Sequence, residues 1–285
     1  MSGGGRPEDA RRARRRRTLR RAPAFLAVLW IAASGLGCLS LNRLMFHPPD
    51  GPYPADMAHL VEIGPPDARV AALWYPKDGT QRAVLYSHGN AEDLAACHGR
   101  LLRFRDLGYA ALAYDYPGYG RSAGSPSEDS VYAAAETAYR HLVDDLGFAP
   151  SNVVVVGYSI GSGPSCRLAE DHPVGGLALF APFKSAVRVV TQVRILPFDA
   201  FPNLSRIGGV RCPVLVAHGT DDDVVPFSHG RALAEEAGES CVFVPVEGAD
   251  HLDLQRRFFS DAAHCDAFLR AFPPAAPSSG EEVVR

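Results

Sequence analysis

The sequence predicts an α/β fold, with a mostly parallel central sheet and helices on both faces. Two observations carry this prediction. From Leu44 onward, short apolar runs alternate with longer stretches of helical periodicity, the β-then-α rhythm of a parallel sheet. Several of these runs are apolar at every position, as strands covered on both faces must be.

The strands are expected at Val70–Tyr75, Ala83–Ser87, Ala110–Tyr114, Val153–Gly157, Gly176–Phe180, Val214–Ala217 and Val242–Val246. Helical periodicity falls at Glu92–Leu107, Glu128–Leu146, Ile160–Asp171, Ser228–Ala237 and Leu252–Ala271. Between Pro182 and Val210 the alternation lapses around Pro197 and Pro202, and a short lid is expected there. Residues 44–272 form this body, and no internal repeat divides it. The tail 273–285, rich in Pro, Ala, Ser and Glu, is expected to be disordered.

The chain has 285 residues, 47% hydrophobic and 21% charged, which excludes collagen, coiled coil and wholesale disorder. Six cysteines are too few for a disulfide scaffold, and a net charge of −3 argues against a general nucleic-acid-binding surface. That charge is unevenly spread. Nine arginines against Glu8 and Asp9 give residues 1–21 a charge of +7, leaving −10 on the remainder. Ala22 to Leu41 then carries no charge, and 20 helical residues suffice to cross a hydrocarbon core of about 30 Å. Residues 1–21 read as a basic cytoplasmic tail and 22–41 as a transmembrane signal anchor, with the body on the non-cytoplasmic side. A lipoprotein signal ending at Cys38, a cleaved export signal and a buried helix of the body remain open as alternatives.

Four valines, Val153–Val156, run into Gly157-Tyr158-Ser159-Ile160-Gly161 and a helical pattern. A strand leading through Gly-x-Ser-x-Gly into a helix lifts the serine above the sheet edge, at the positive end of the helix. Such a serine needs a base, and the base needs an orienting acid. In the α/β-hydrolase fold they follow in the order serine, acid, histidine. Asp222 follows the Val214–Ala217 strand and His251 follows the last, so Ser159, Asp222 and His251 are the candidate triad. Asp221 and Asp223 rival Asp222, and His218 and His229 rival His251. His218 also reads as a structural hydrogen-bonding residue.

Acyl chemistry needs two N–H donors aimed at the developing oxyanion. Ile160, after the nucleophile, is one candidate. Asn90, in His88-Gly89-Asn90-Ala91 after the Ala83–Ser87 strand, is the other. His88 reads as a supporting residue and Asp93 as an acid complementing a helix dipole. Asp115-Tyr116-Pro117-Gly118-Tyr119-Gly120 is expected to be a rigid supporting loop, with Tyr116 or Tyr119 facing the pocket. The cysteines show no metal-ligand spacing and no P-loop is present, so neither metal nor cofactor is expected. Cys97, Cys166, Cys212, Cys241 and Cys265 read as free thiols, although export would allow some to oxidise.

These residues resemble the membrane-associated depalmitoylases, the seventeenth group of α/β-hydrolase-domain proteins. The likeness runs from about Leu44 to Phe272 through Phe46-His47-Pro48-Pro49, Ser87 to Leu94, Asp115 to Gly120 and Ser159-Ile160-Gly161. It continues through Phe198-Asp199-Ala200-Phe201-Pro202-Asn203, His218 to Asp222, Phe227 to Gly230 and Glu247 to His251. The resemblance implies a serine hydrolase that cleaves palmitoyl thioesters from protein cysteines at a membrane, with its triad on Ser159, Asp222 and His251. The family carries an acylated cysteine cluster at its N-terminus, whereas this chain has an arginine block and Cys38 alone.

The expectation is therefore a membrane-anchored, monomeric serine hydrolase of acyl esters or thioesters, with a lipidated protein among its candidate substrates. A short-chain carboxylesterase or peptidase, or a non-catalytic tethered binding protein, are the alternatives.

Overall fold

The computed structural model describes residues 42–43, 45–51, 53–191 and 199–274. The basic tail, the apolar segment 22–41 and residues 275–285 lie outside them. Eight strands form one sheet: β1 (Leu60–Ile63), β2 (Val70–Tyr75), β3 (Ala83–Ser87), β4 (Ala110–Tyr114), β5 (Val153–Tyr158), β6 (Gly176–Phe180), β7 (Val214–Gly219) and β8 (Cys241–Val246). Their spatial order is β1-β2-β4-β3-β5-β6-β7-β8. β1 and β2 are antiparallel to their neighbours and the rest are parallel.

β5 shows why the apolar runs were continuous. Val153 and Val155 belong to one apolar cluster, with Val131, Ala134 and Leu168. Val154 and Val156 belong to the other, with Phe104, Phe258 and Phe268. Successive side chains point to opposite faces, and helices cover both. On the first face lie α2 (Glu128–Arg140), α3 (Ser162–Asp171) and α6 (Phe227–Ala237). On the second lie α1 (Leu94–Asp106), α7 (Leu254–Ser260) and α8 (Ala262–Ala271). The short α4 (Ala186–Thr191) and α5 (Asn203–Ile207) flank residues 192–198, which are outside the described residues. The lid expected over 182–210 is thus described only at its two ends.

Three elements differ from the sequence expectation. β1 was not foreseen; it is a four-residue edge strand, largely half-exposed, that pairs Leu60 with Leu73 and Ile63 with Val70. The single helix expected over Leu252–Ala271 is two helices. Asp261 is extended between them, and its carboxylate caps α8 by accepting the His264 N–H at 3.0 Å. The helix from Glu128 changes at His141 into a π-type turn running to Asp145. Asp93 is the N-cap of α1, accepting N–H groups of Ala95 and Ala96 at 3.0 and 3.3 Å.

The parallel strands place their carboxyl ends at one edge: Ser87 of β3 is in register with Gly157 of β5 and Tyr114 of β4. The turn after β5 lies against β3 so closely that a Cβ on Gly161 would sit 2.1 Å from the Ser87 carbonyl oxygen. By contrast, nothing lies within 4 Å of a Cβ on Gly99, which is exposed in α1. Gly161→Ala should cost about 3 kcal/mol and lower Tm by about 6–12 °C. Gly99→Ala should stabilise by about 1 kcal/mol. Thermal unfolding of the two variants checks both directions.

Candidate active site

The carboxyl ends of β3, β5, β7 and β8 carry the chemistry-bearing residues to one rim. Ser159 follows β5 directly and holds φ at +52°, in the left-handed region that L-residues avoid. Its hydroxyl lies 3.0 Å from His251 Nε2, and His251 Nδ1 lies 2.8 Å from Asp222 Oδ2. Asp222 Oδ1 accepts the Val224 and Val225 N–H groups at 3.0 and 2.7 Å. Burial would push this carboxyl up. Hydrogen bonds from His218 and His251, the charge His251 can carry and the Val225 N–H outweigh burial and hold it well below the usual carboxylate range. The ionised carboxylate only accepts, so His251 donates from Nδ1 and keeps Nε2 free to accept from Ser159.

The rivals are placed elsewhere. Asp221 and Asp223 are exposed beside the buried Asp222. His218 is buried and donates from Nε2 to the Val225 carbonyl at 2.8 Å, with Asp222 Oδ2 at 3.4 Å. It supports the Asp222 loop and fills the space where a Cβ on Gly230 would sit, 2.3 Å from its Nδ1. His229 accepts the Lys184 N–H at 3.3 Å. Burial, helped by the charge of Lys184, pulls it down to about 4.

Asn90 and Ile160 line the same cleft as Ser159 and His251. The Asn90 side chain is held by three partners. Its Nδ2 donates to the Met45 carbonyl at 2.7 Å, and its Oδ1 accepts the His47 N–H at 3.0 Å and the Tyr119 hydroxyl at 2.7 Å. These three partners hold the residue in place, and its backbone N–H remains the candidate donor to a substrate. The expectation that Tyr116 or Tyr119 faces the pocket is corrected. Both are fully buried beneath the loop, and Tyr116 donates to the His88 carbonyl at 2.6 Å. Asp115 anchors that support, accepting the Tyr53 hydroxyl at 2.6 Å and the Leu94 N–H at 3.1 Å. His88 is buried, its ring centroid 4.1 Å from that of Tyr116.

Several supporting residues were not singled out from sequence. Tyr158 donates its hydroxyl to the His251 carbonyl at 2.8 Å. Its ring also excludes a side chain at Gly89, whose Cβ would lie 2.8 Å from it. Glu92 accepts the Gly89 N–H at 2.9 Å and pairs with Arg100, fixing the loop before Asn90. Asn203, in the Phe-Asp-Ala-Phe-Pro-Asn stretch, donates to Ser162 Oγ at 2.9 Å, and Ser162 donates to the Ser159 carbonyl at 2.7 Å. The only sequence signal for Asn203 was that this stretch is shared with the family without being catalytic.

The cleft measures about 640 Å³ and is walled mainly by apolar side chains, among them Met45, Phe183, Val189, Val225 and Leu252. The five described cysteines are unpaired; Cys97, Cys166 and Cys265 are buried. Among the described residues no helix is long and apolar enough to cross a membrane.

Comparison with known proteins agrees with this architecture. Residues 78–205 match the family described as serine aminopeptidase, S33. Alpha/beta hydrolase domain-containing protein 17C of Xenopus tropicalis is 38% identical over 180 residues, 62% of this chain and 58% of that protein. Protein 17B of Homo sapiens is 39% identical over 175 residues, 60% of this chain and 61% of that protein. The match thus takes in about three fifths of each relative's length. Among solved structures, the Pyrococcus furiosus esterase Pf2001 superposes with a TM-score of 0.62 at 19% identity, over 79% of this chain and 97% of that one. XC6422 from Xanthomonas campestris, described as an α/β serine hydrolase without lid, gives 0.60 at 17%, over 80% and 100%. At such identities these two bear on the fold alone. The ordered strand-end residues, the eight-stranded sheet and these likenesses give the chain the α/β-hydrolase fold, and in sequence it resembles the group-17 domain-containing proteins.

Proposed function

We propose that this chain is a membrane-anchored serine hydrolase that cleaves acyl thioesters or esters through an acyl-enzyme. The observation that carries the reading is the hydrogen-bonded row Ser159–His251–Asp222 at the edge of an apolar cleft. Ser159 Oγ attacks the acyl carbonyl as its proton passes to His251 Nε2, and Asp222 stabilises the imidazolium. The N–H groups of Asn90 and Ile160 receive the oxyanion. Collapse expels the thiol or alcohol, which takes the proton from His251. A water molecule, deprotonated by His251, then attacks the acyl-serine. The carboxylic acid leaves and Ser159 recovers its proton.

The matched family's description raises an aminopeptidase as a second reading. An aminopeptidase needs an acceptor for the substrate ammonium. Among the described residues the one carboxylate lining the cleft is Glu92, already bound to Arg100 and the Gly89 N–H. The apolar walls favour an acyl chain instead. The uncharged segment 22–41, outside the described residues, is the proposed anchor, with the body on the non-cytoplasmic side.

Ser159→Ala should lower kcat by roughly 10⁵-fold or more, and Asp222→Asn by about 10⁴-fold through loss of the His251 tautomer. Hydrolysis and labelling by a serine-directed phosphonate read both; turnover by Ser159→Ala at the wild-type rate would refute the mechanism.

A panel of matched thioesters and oxygen esters from acetyl to palmitoyl should show kcat/KM rising with chain length. A maximum at acetyl would instead favour a short-chain carboxylesterase.

His229 sets an acid limit. A histidine with a lowered folded value binds fewer protons when folded, so stability is kept above about pH 6.5 and drains as pH falls to about 4. His229→Gln should lose less Tm than wild type between those two pH values.

A further inference from the structure

Beside the catalytic cleft lies a second cavity, of about 310 Å³, lined by Ala96, Gly99, Arg100, Arg103, Leu252, Gln255, Arg256 and Phe259. Ala96 and Leu252 line both cavities, so the two adjoin across α1 and the loop after His251. The smaller one has three guanidinium groups in its wall and no carboxylate. The cavity between α2 and α3 instead mixes Glu128, Asp129, Glu136 and Asp171 with its cations. A cationic wall on a body of net charge −10 is against the trend of the molecule.

The donors are not all committed. Arg100 pairs with Glu92 and stands over the Tyr158 ring, 5.5 Å from its centroid, so it serves the loop. Arg103 donates to the Phe259 carbonyl at 2.9 Å and has no carboxylate partner among the described residues. Arg256 is 72% exposed at its side chain and meets Asp253 at 3.2 Å, a carboxylate it shares with Arg257. Gln255 is 5% exposed; its Oε1 accepts the Tyr86 hydroxyl at 3.1 Å, and its Nε2 has no partner. Leu252, 81% exposed, stands between the cationic wall and the apolar cleft.

We infer that this cavity is a subsite for a phosphate group on the leaving portion of the substrate, with Arg103, Arg256 and Gln255 as its donors. The inference rests on the acyl-hydrolase reading above and narrows its substrate class to acyl compounds whose thiol or alcohol carries a phosphate. The acyl chain lies in the apolar cleft and the scissile carbonyl at Ser159. The leaving group extends past Leu252 toward the arginines, which bind phosphate through charge-assisted hydrogen bonds.

The test uses the full chain and four octanoyl substrates in two matched pairs. The thioester pair is octanoyl N-acetylcysteamine and octanoyl 4′-phosphopantetheine. The ester pair is octanoylglycerol and octanoylglycerol 3-phosphate. The phosphorylated member of at least one pair should show kcat/KM about tenfold higher than its neutral partner. The ratio should fall toward one in Arg103→Gln/Arg256→Gln, in the exposed charge reversal Arg256→Glu alone, and at 1 M salt. A preference in the thioester pair alone identifies a soluble phosphorylated thiol as leaving group; one in the ester pair alone identifies a lipid headgroup. Equal kcat/KM within both pairs, or a preference untouched by both variants, overturns the subsite and leaves the hydrolase reading standing. No turnover of any of the four overturns that reading itself.

Discussion

Ser159 holds a backbone conformation that costs an L-residue about 1–3 kcal/mol, at φ +52°, and the rim of the sheet is organised around keeping it there. The strain turns the chain sharply from β5 toward α3 and lifts the hydroxyl clear of the sheet edge. The turn needs close approach on two sides. A Cβ on Gly157 would lie 2.4 Å from the Gly161 carbonyl oxygen, and one on Gly161 would meet the end of β3. The β3 end is itself the start of the Asn90 loop. Packing the nucleophile turn against β3 therefore also fixes the position of the proposed oxyanion donor relative to Ser159. The Ser162 and Asn203 side chains complete the restraint from the other side, through the Ser159 carbonyl.

The two halves of the site are held by different kinds of interaction. Asp222 sits where burial alone would neutralise it, and it remains a carboxylate because N–H donors converge on both oxygens. His251 is fixed by Asp222 at one nitrogen and by the Tyr158 hydroxyl at its carbonyl. Tyr158 is also the residue immediately before Ser159, so nucleophile and base share one support. On the opposite side Asn90 is held by uncharged hydrogen bonds to Met45, His47 and Tyr119. The one carboxylate of this loop among the described cleft residues, Glu92, is occupied by Arg100 and the Gly89 N–H.

The parallel strands were legible because burial on both faces makes them apolar at every position, as in Val153–Val156. Their order in the chain then located Ser159, Asp222 and His251 at strand ends. β1 was not legible: an edge strand half-exposed over four residues has neither a continuous apolar run nor a long alternation. The break at Asp261 was hidden for another reason. Apolar periodicity resumes after it, because α7 and α8 both pack on the same face, and only the capping chemistry of Asp261 marks the boundary. Asn203, Tyr158 and Arg100 act through contacts across 41, 93 and 8 residues of chain, and no local pattern encodes such distances. Tyr116 and Tyr119 were misjudged because proximity to the site in sequence does not tell which side of a loop is buried.

The position of Met45 ties these pieces to the N-terminal segment. Met45 lines the cleft and its carbonyl holds Asn90, while the uncharged run ends at Leu41. Four residues span at most about 14 Å, so Met45, in the wall of the cleft, lies within that distance of the end of the proposed anchor. An anchor lodged in a bilayer would hold the exposed Leu252 and Val224, which line the same cleft as Met45, near the membrane surface. An acyl chain could then pass from lipid to cleft with little apolar surface crossing water. At about 0.8 kcal/mol per methylene transferred, that crossing would dominate the binding of any long chain. The short tether is therefore worth more to a long-chain substrate than to a short one. The same four residues that set this distance also lead into the clasp on Asn90, so under the proposed reading the anchor and the oxyanion donor share one short stretch of chain.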